Sequence, residues 1–515
     1  MLALAGLTPG QRPAPPPPKP VSLIVLVVVD QMRADYLARF ARQWTGGFGR
    51  IYRSGTVFEH GAQDHAATET APGHATLLSG RYPAHTGIVL NSRGVQDADA
   101  PLVGRSGRAG ASPHRFRGTT LVDWMLARDP DTRVLSVSRK DRGAIFPIGR
   151  AQVPVYWFDA GAFTTSRYYA DSLPAWVQAF NEHGSVDRLS QGDATWSLLL
   201  PDSAYAEPDS EPFENGGADY AFPHPFPTAR AAAVAQIARF PWMDSLTLAF
   251  ALEGVRALGL GRRTGPDLLS MSLSTTDAVG HAFGPDSREL YDQLLHVDRW
   301  LGQFLDSLTH LIGNDRVLLV LTGDHGVTPI PEYNVTVRHR PGGRVSLGWV
   351  ARSAGLALRA RLDRDFGLDF DSGLLSADVA SLRASGIDVE AWRRRSRPKR
   401  RGCLASPACT RPARSPERRA RIGAQSCGDG CCLRTTAGSC ALSPRRATSG
   451  PAASWAPSTA RPIARTSRSR SRSSGPGSLL GWSSSPRAPW ISLPPWRISS
   501  LCPLLSPSMA GCCRR

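Results

Sequence analysis

Three stretches of the chain share one design, an apolar, β-branched run that ends on a polar cluster. VSLIVLVVV (residues 21–29) runs into Asp30, DLLSMSLSTTDAVGH (267–281) carries Asp277 and His281, and RVLLVLTGDHGV (316–327) reaches Asp324 and His325. Runs without polar alternation predict strands buried on both faces, the habit of parallel sheets. Between the last two lies LYDQLLHVDRWLGQFLDSL (290–308), whose apolar positions recur every three or four residues and predict an amphipathic helix. Strands of this kind alternating with helices predict an α/β fold with a mostly parallel central sheet and helices on both faces. Ligands of such sheets gather beyond the carboxyl ends of the strands, which is where Asp30, Asp277 and Asp324 fall. Residues 150–250, rich in Trp, Tyr and Pro, predict an inserted region on the substrate side.

Composition changes abruptly near residue 392. Residues 393–515 hold 24 of the 61 basic residues and 2 of the 43 acidic ones, so the net charge of +18 divides into +22 for this stretch and −4 for the rest. All nine cysteines lie there, from Cys403 to Cys513, while Val, Phe, Tyr, His and Asn are absent. A core without Val, Phe and Tyr is hard to build, so the tail is expected to be of low order. Its cysteines have neither the spacing nor the histidines of a zinc module. The segment RTSRSRSRSS admits an Arg/Ser nucleic-acid reading, but the abrupt shift favours translation out of frame. Three regions result: 1–20, 21–392 and 393–515. The middle one is slightly acidic, which excludes a basic nucleic-acid footprint on the folded part.

The chain opens on MLALAGLTPGQ and then RPAPPPPKP. These are expected to be the end of a signal-peptide apolar region and a polyproline spacer, consistent with a periplasmic or secreted enzyme. The nine-residue run 21–29 is too short to span a membrane.

Carboxylates and imidazoles at neighbouring strand ends, without a compensating lysine cluster, suggest divalent metal ions. Asp277 and His281 stand four residues apart, one helical turn, and can face one ion. Asp324 and His325 are consecutive, with glycines on both sides at Gly323 and Gly326. Each element alone has a plainer reading: a surface pair, a strand-end loop, or, for Asp30, a helix N-cap. The stretch HAATETAPGHATLLSG (65–80) adds Thr70, placed just before a helix. The combination raises the metal reading above its parts.

With VVVDQMRADYL, TETAPGHATLLSGRYPAHTGIVLN, SRKDRG, STTDAVGHAFGPDS and TGDHGV in this order, the chain resembles the alkaline phosphatase superfamily. Within that superfamily it is similar to the type I phosphodiesterase/nucleotide pyrophosphatase branch, closest to PafA-type alkaline phosphatases with a threonine nucleophile. The resemblance implies two Zn2+ ions. Asp30, Thr70, Asp324 and His325 would hold one; Asp277, His281 and a third, late histidine would hold the other. It implies that Thr70 attacks phosphorus to give a phospho-threonine, and that Asn91, Lys140 and Arg142 hold the phosphate oxygens. Lys140 is one of only three lysines beside 58 arginines, so a mere surface role would more readily have fallen to Arg. His74, one turn after Thr70, is expected to support the site rather than ligate.

The likeness breaks at the late histidine. The last histidine is His339, in VRHRPGG, and none follows over the remaining 176 residues. A zinc-dependent hydrolase of small phosphate monoesters is therefore expected, impaired at its second ion. A phosphodiesterase or nucleotide pyrophosphatase using the same residues is the alternative, and a non-catalytic product with a sticky tail the rival of another class. A sulfatase is disfavoured, because the body has no Cys to supply formylglycine.

A tail of charge +22 binds polyanions by counterion release. The full chain should therefore retard DNA in a gel at low salt, less so as salt rises. Deleting residues 393–515 should abolish the shift; a shift that survives would assign the binding to the body.

Overall fold

The structure, a computed structural model, describes residues 20–363, 368–371, 374–384 and 386–390. The N-terminal apolar and proline-rich stretch through residue 19, and the basic tail from 393 on, lie outside the described residues. Everything below belongs to the first of two units of the chain, among its residues 20–387.

A six-stranded sheet forms the centre. Its strands are β1 (Leu23–Val29), β2 (Val134–Ser138), β3 (Val155–Asp159), β4 (Ala162–Thr164), β5 (Asp267–Leu273) and β6 (Val317–Gly323). They lie in the order β4-β3-β2-β5-β1-β6. All neighbouring pairs are parallel except β3 with β4, which turn back on each other. The three apolar runs are thus three adjacent strands, with β1 between β5 and β6.

Around them stand α1 (Gly47–Ser54), α2 (Thr70–Leu77), α3 (Asp141–Ile145), α4 (Trp242–Leu258), α5 (Thr275–Phe283) and α6 (Arg288–Ile312). Side chains alternate across a strand, and β1 shows it: Leu23, Val25, Val27 and Val29 enter one core with residues of α1, α4, α5 and α6. Ile24 and Leu268 face a second core built with Ala71 and Ala75 of α2 and Ala144 and Ile145 of α3. Removing one such buried Leu or Val side chain from water contributes roughly 1.5–3 kcal/mol. In α6 the buried positions Leu290, Leu294, Val297, Leu301, Phe304 and Leu308 follow the three-and-four spacing of an amphipathic helix. Ser287 caps it by accepting a hydrogen bond from Leu290 N at 3.1 Å.

Two expectations need correction. The 150–250 segment is not wholly an insert: β3 and β4 extend the sheet, and α4 packs beneath it, which leaves the stretch between Thr165 and Pro241, where short helices (Ala175–Glu182, Ser185–Gln191, Arg230–Gln236) and a two-residue strand pair are joined by loops. Short strands of mixed composition such as VYWFD carry too little periodicity to be separated from loop. The run VLLVLTG, expected to be buried on both faces, is an edge strand. Leu318 is 48 % and Val320 41 % exposed, whereas Val317, Leu319 and Leu321 pack on the first core.

Helices α2 and α3 approach the sheet closely because small residues meet there. A Cβ on Gly73 would stand 2.4 Å from the carbonyl oxygen of Asp324, and one on Gly143 would stand 2.7 Å from Ser138 Oγ. Backbone cannot swing aside as a flexible side chain can. Gly73→Ala should therefore displace the helix that starts at Thr70 and lower the midpoint of thermal unfolding, by an amount typical of overpacking, roughly 1–3 kcal/mol. A thermal melt of the variant beside its parent measures it.

Candidate active site

Register brings the site together. Val29 of β1 is level with Leu273 of β5 and Gly323 of β6, so Asp30 and Asp324 leave the sheet at the same height. Asp277 follows in the first turn of α5. The end of β2, at Ser138, is level with Ser272 and hands on to Lys140. Helix α2 begins with Thr70 as its first residue.

These side chains converge on the Lys140 ammonium. Its Nζ lies 2.6 Å from Asp30 Oδ2 and 2.6 Å from Asp277 Oδ2, and donates to Thr70 Oγ1 at 3.1 Å. His325 Nε2 stands 3.4 Å from Asp30 Oδ1, 3.8 Å from Asp324 Oδ2 and 3.9 Å from Asp277 Oδ1. Asp324 Oδ1 accepts from the backbone N–H groups of Gln31 (3.0 Å) and His325 (2.9 Å). Its Oδ2 lies 3.0 Å from His74 Nδ1. His74 also reaches Thr70 O at 2.9 Å and Ser272 Oγ at 2.9 Å, tying the helix of Thr70 to β5 and to Asp324.

Gln31, not singled out by the sequence reasoning, is the strap of the site. Its N–H holds Asp324, and its Nε2 donates to Asp277 Oδ1 at 3.0 Å. To do both it adopts φ 66°, a left-handed conformation uncommon outside glycine. Gly280 makes room for it, since a Cβ there would lie 2.0 Å from Gln31 Oε1. Its place directly after Asp30 in DQM was the one available signal. Asp244 of α4 is a second such residue. Its buried carboxylate accepts from Thr275 N at 3.1 Å and Gln293 Nε2 at 2.9 Å, anchoring the start of the helix that carries Asp277. Burial pushes its carboxyl up to about 6.

Electrostatics follow from crowding acids out of water. Burial by itself would raise Asp30, yet the charge of Lys140 and the bond from His325 hold it well below the usual carboxylate range. Burial and the field of Asp30 oppose ionisation of Asp277, but His281 and Lys140 outweigh them and lower it. For His325, burial lowers and the bond to Asp30 with the charges of Asp324 and Asp30 raises; the sum pushes it up to about 9. Asp30 and Asp277 are thus kept ionised by neighbouring cations.

A metal ion suits the same place. Ligand atoms of Asp30, Asp324 and His325 lie within 4.8 Å of one another, the one such group among the described residues. Neither oxygen of Asp30, nor Oδ2 of Asp324, has a well-aligned hydrogen-bond donor; the Lys140 ammonium lies beside Asp30 and His74 Nδ1 beside Asp324. Two carboxylates and an imidazole are a donor set that zinc accepts.

The structure does not gather every residue of the expected set. His281 reaches Asp277 Oδ1 at 3.2 Å, but its side chain is 70 % exposed. Arg142 Nη1 lies 3.4 Å from its own neighbour Asp141. Asn91 Oδ1 accepts from Ala71 N at 2.8 Å, bracing the first turn of α2. His339 takes φ 52° in the stretch after Thr336 and joins none of these groups. No helix among the described residues is long and apolar enough to cross a membrane.

Comparison with known proteins identifies the family and the fold. The family model described as Type I phosphodiesterase / nucleotide pyrophosphatase matches residues 24–387. The alkaline phosphatase PhoV of Synechococcus elongatus is 38% identical over 346 residues, 63% of this chain and 62% of that protein. The alkaline phosphatase PafA of Elizabethkingia meningoseptica is 31% identical over 392 residues, 72% of this chain and 70% of that protein. The crystal structure of wild-type PafA superposes with a TM-score of 0.67 at 29% identity, covering 73% of this chain and 76% of that one. The chain thus spans somewhat under two thirds of the length of PhoV.

The charge balance gives a pH signature when metal is stripped with EDTA. The folded His325 is raised above its ordinary 6.5 to about 9. The stabilisation from its pairing is then fully present below about pH 6.5 and lost as pH rises through 9, on the order of 3 kcal/mol. Thermal melts of the metal-free protein at pH 6.5 and 9.5 should differ accordingly, and His325→Gln should flatten the difference.

Proposed function

The chain belongs to the type I phosphodiesterase/nucleotide pyrophosphatase family, and from that premise we propose that its site hydrolyses small phosphate monoesters with the help of zinc. One observation carries the reading: the Thr70 hydroxyl and the carboxylates of Asp30 and Asp277 all meet the single ammonium of Lys140, with Asp324 and His325 beside them. A hydroxyl, acidic side chains and a cation in one buried spot suit attack on an anionic phosphorus centre.

Asp30, Asp324 and His325, together with the Thr70 hydroxyl, would hold one ion, and Asp277 with His281 would offer two ligands to a second. Zinc bound there would lower the pKa of the hydroxyl and offset the phosphate charge. The rest falls to the chain. Thr70, fixed at the start of α2 by the His74 bond to its carbonyl, presents its Oγ1 for in-line attack, giving a phospho-threonine as the ester oxygen leaves. Lys140 donates to the non-bridging phosphate oxygens. Asn91, oriented by Ala71 N through Oδ1, keeps its Nδ2 end for the same task. Arg142 would turn from Asp141 to join them. A monoester carries more charge on those oxygens than a diester, so cations here favour monoesters. A phosphodiesterase acting through the same threonine is the second reading.

Kinetics separate the two. On an aryl phosphate, Lys140→Ala should cost about 10²–10³ in kcat/KM, and distinctly less on an aryl methylphosphonate, which carries one charge fewer. Unchanged monoester turnover would remove Lys140 from the phosphate site. Thr70→Ala should abolish both activities. Among the described residues only Asp277 and His281 are offered to the second ion, so purified chain should retain about one zinc after dialysis, with turnover rising on added zinc. Two tightly held zincs with full turnover would refute that impairment.

A further inference from the structure

Gln31 touches both halves of the strand-end site, and the proposed chemistry gives it no part. It is buried, and its backbone N–H donates to Asp324 Oδ1 at 3.0 Å. Its side-chain Nε2 donates to Asp277 Oδ1, also at 3.0 Å. Asp324 belongs with Asp30 and His325 to the group that suits one ion, whereas Asp277 Oδ1 meets His281 Nε2 at 3.2 Å. One residue therefore has its main chain in one ion position and its side chain in the other.

The surrounding structure holds Gln31 at some cost. Asp30 N donates to Leu273 O at 2.9 Å and Met32 N to Val29 O at 3.2 Å, so the turn is tied to β1 and β5. That turn requires φ 66° at Gln31, a left-handed conformation that glycine reaches without strain and asparagine readily. A long amide stands there instead. Gly280, between Asp277 and His281 on α5, leaves room for Oε1, since a Cβ would lie 2.0 Å from it. This oxygen is buried without a hydrogen-bond partner among the described residues. Turning the amide round gives no relief, because its oxygen would then face the Asp277 carboxylate. Backbone strain and an unpaired buried oxygen both oppose stability. What they secure is the bond from Nε2 to Asp277.

That donor is neutral. The Lys140 ammonium also holds Asp277, at 2.6 Å, but it offsets the carboxylate charge and so competes with any cation for it. An amide orients a carboxylate and leaves its charge for an ion. We propose that Gln31 is a positioning residue that joins the two ion positions. An ion beside Asp324 steadies the Gln31 main chain, and the amide of the same residue then holds Asp277 ready for the second ion. This rests on the zinc reading of the site and adds the order of filling: the position at Asp30, Asp324 and His325 first.

The test is zinc binding, read without turnover. Metal-free full chain is titrated with zinc chloride against a chromophoric chelator, for the parent and two variants. Gln31→Gly removes the amide, keeps the N–H for Asp324 and suits φ 66°. Gln31→Asn also suits that angle, but its amide is one methylene too short to reach Asp277. Both should take the first zinc as the parent does and bind the second about tenfold more weakly. A second step unchanged in the two variants overturns the proposal. So does an equal weakening of both steps, which is what a merely structural role would produce. A parent that stops at one zinc overturns the joining role alone, whereas a parent that binds none overturns the zinc reading itself.

Discussion

Three carboxylates that leave the same edge of a parallel sheet set the terms for the rest of the structure. Asp30, Asp277 and Asp324 are buried, and like charges 4 Å apart repel by about 4 kcal/mol at an effective dielectric of 20. No arrangement of apolar neighbours relieves that. Only positive charge does, and the fold supplies Lys140 from β2 and His325 from β6 while leaving oxygens of Asp30 and Asp324 without well-aligned donors. The site is thus built as a sink for cations. Under the proposed function, a phosphate ester bound there would meet the positive charge that its developing negative charge requires.

Around this demand the supporting structure is made stiff. His74 joins α2, β5 and Asp324, and Gln31 accepts an unfavourable backbone angle to hold Asp324 and Asp277 at once. Gly73 and Gly280 are small because backbone and side chain of the site pass where a Cβ would stand. Asp244, from the opposite core, fixes the start of α5. Strain and buried polarity concentrate at the strand ends, as expected where position matters more than stability.

Much of this was readable along the chain. The runs ending at Asp30 and Asp324 are unbroken and β-branched, and they are β1 and β6; the run before Asp277 is β5. The helix read at 290–308 is α6, Arg288–Ile312, its periodicity strong because it buries one stripe along seven turns. The short strands β3 and β4 were not legible, because five and three residues of mixed polarity hold no period. Nor was the exposure of Leu318 and Val320: an apolar edge strand and an apolar central strand are written alike, and only the neighbours differ.

Local chemistry thus decided which residues could do the work. Hydroxyl, carboxylate and imidazole types, glycines where backbones crowd, and apolar runs that must be buried are properties of single positions and short spacings. What only the tertiary structure decided is who stands next to whom. Lys140 lies 110 residues from Asp30 and 137 from Asp277, and no spacing rule could place its ammonium between them. Parallel register does so, because it aligns the ends of strands that are distant in sequence. The same register left Arg142 beside Asp141 and His281 largely in solvent, since a side chain's reach depends on where its element ends and not on its residue type.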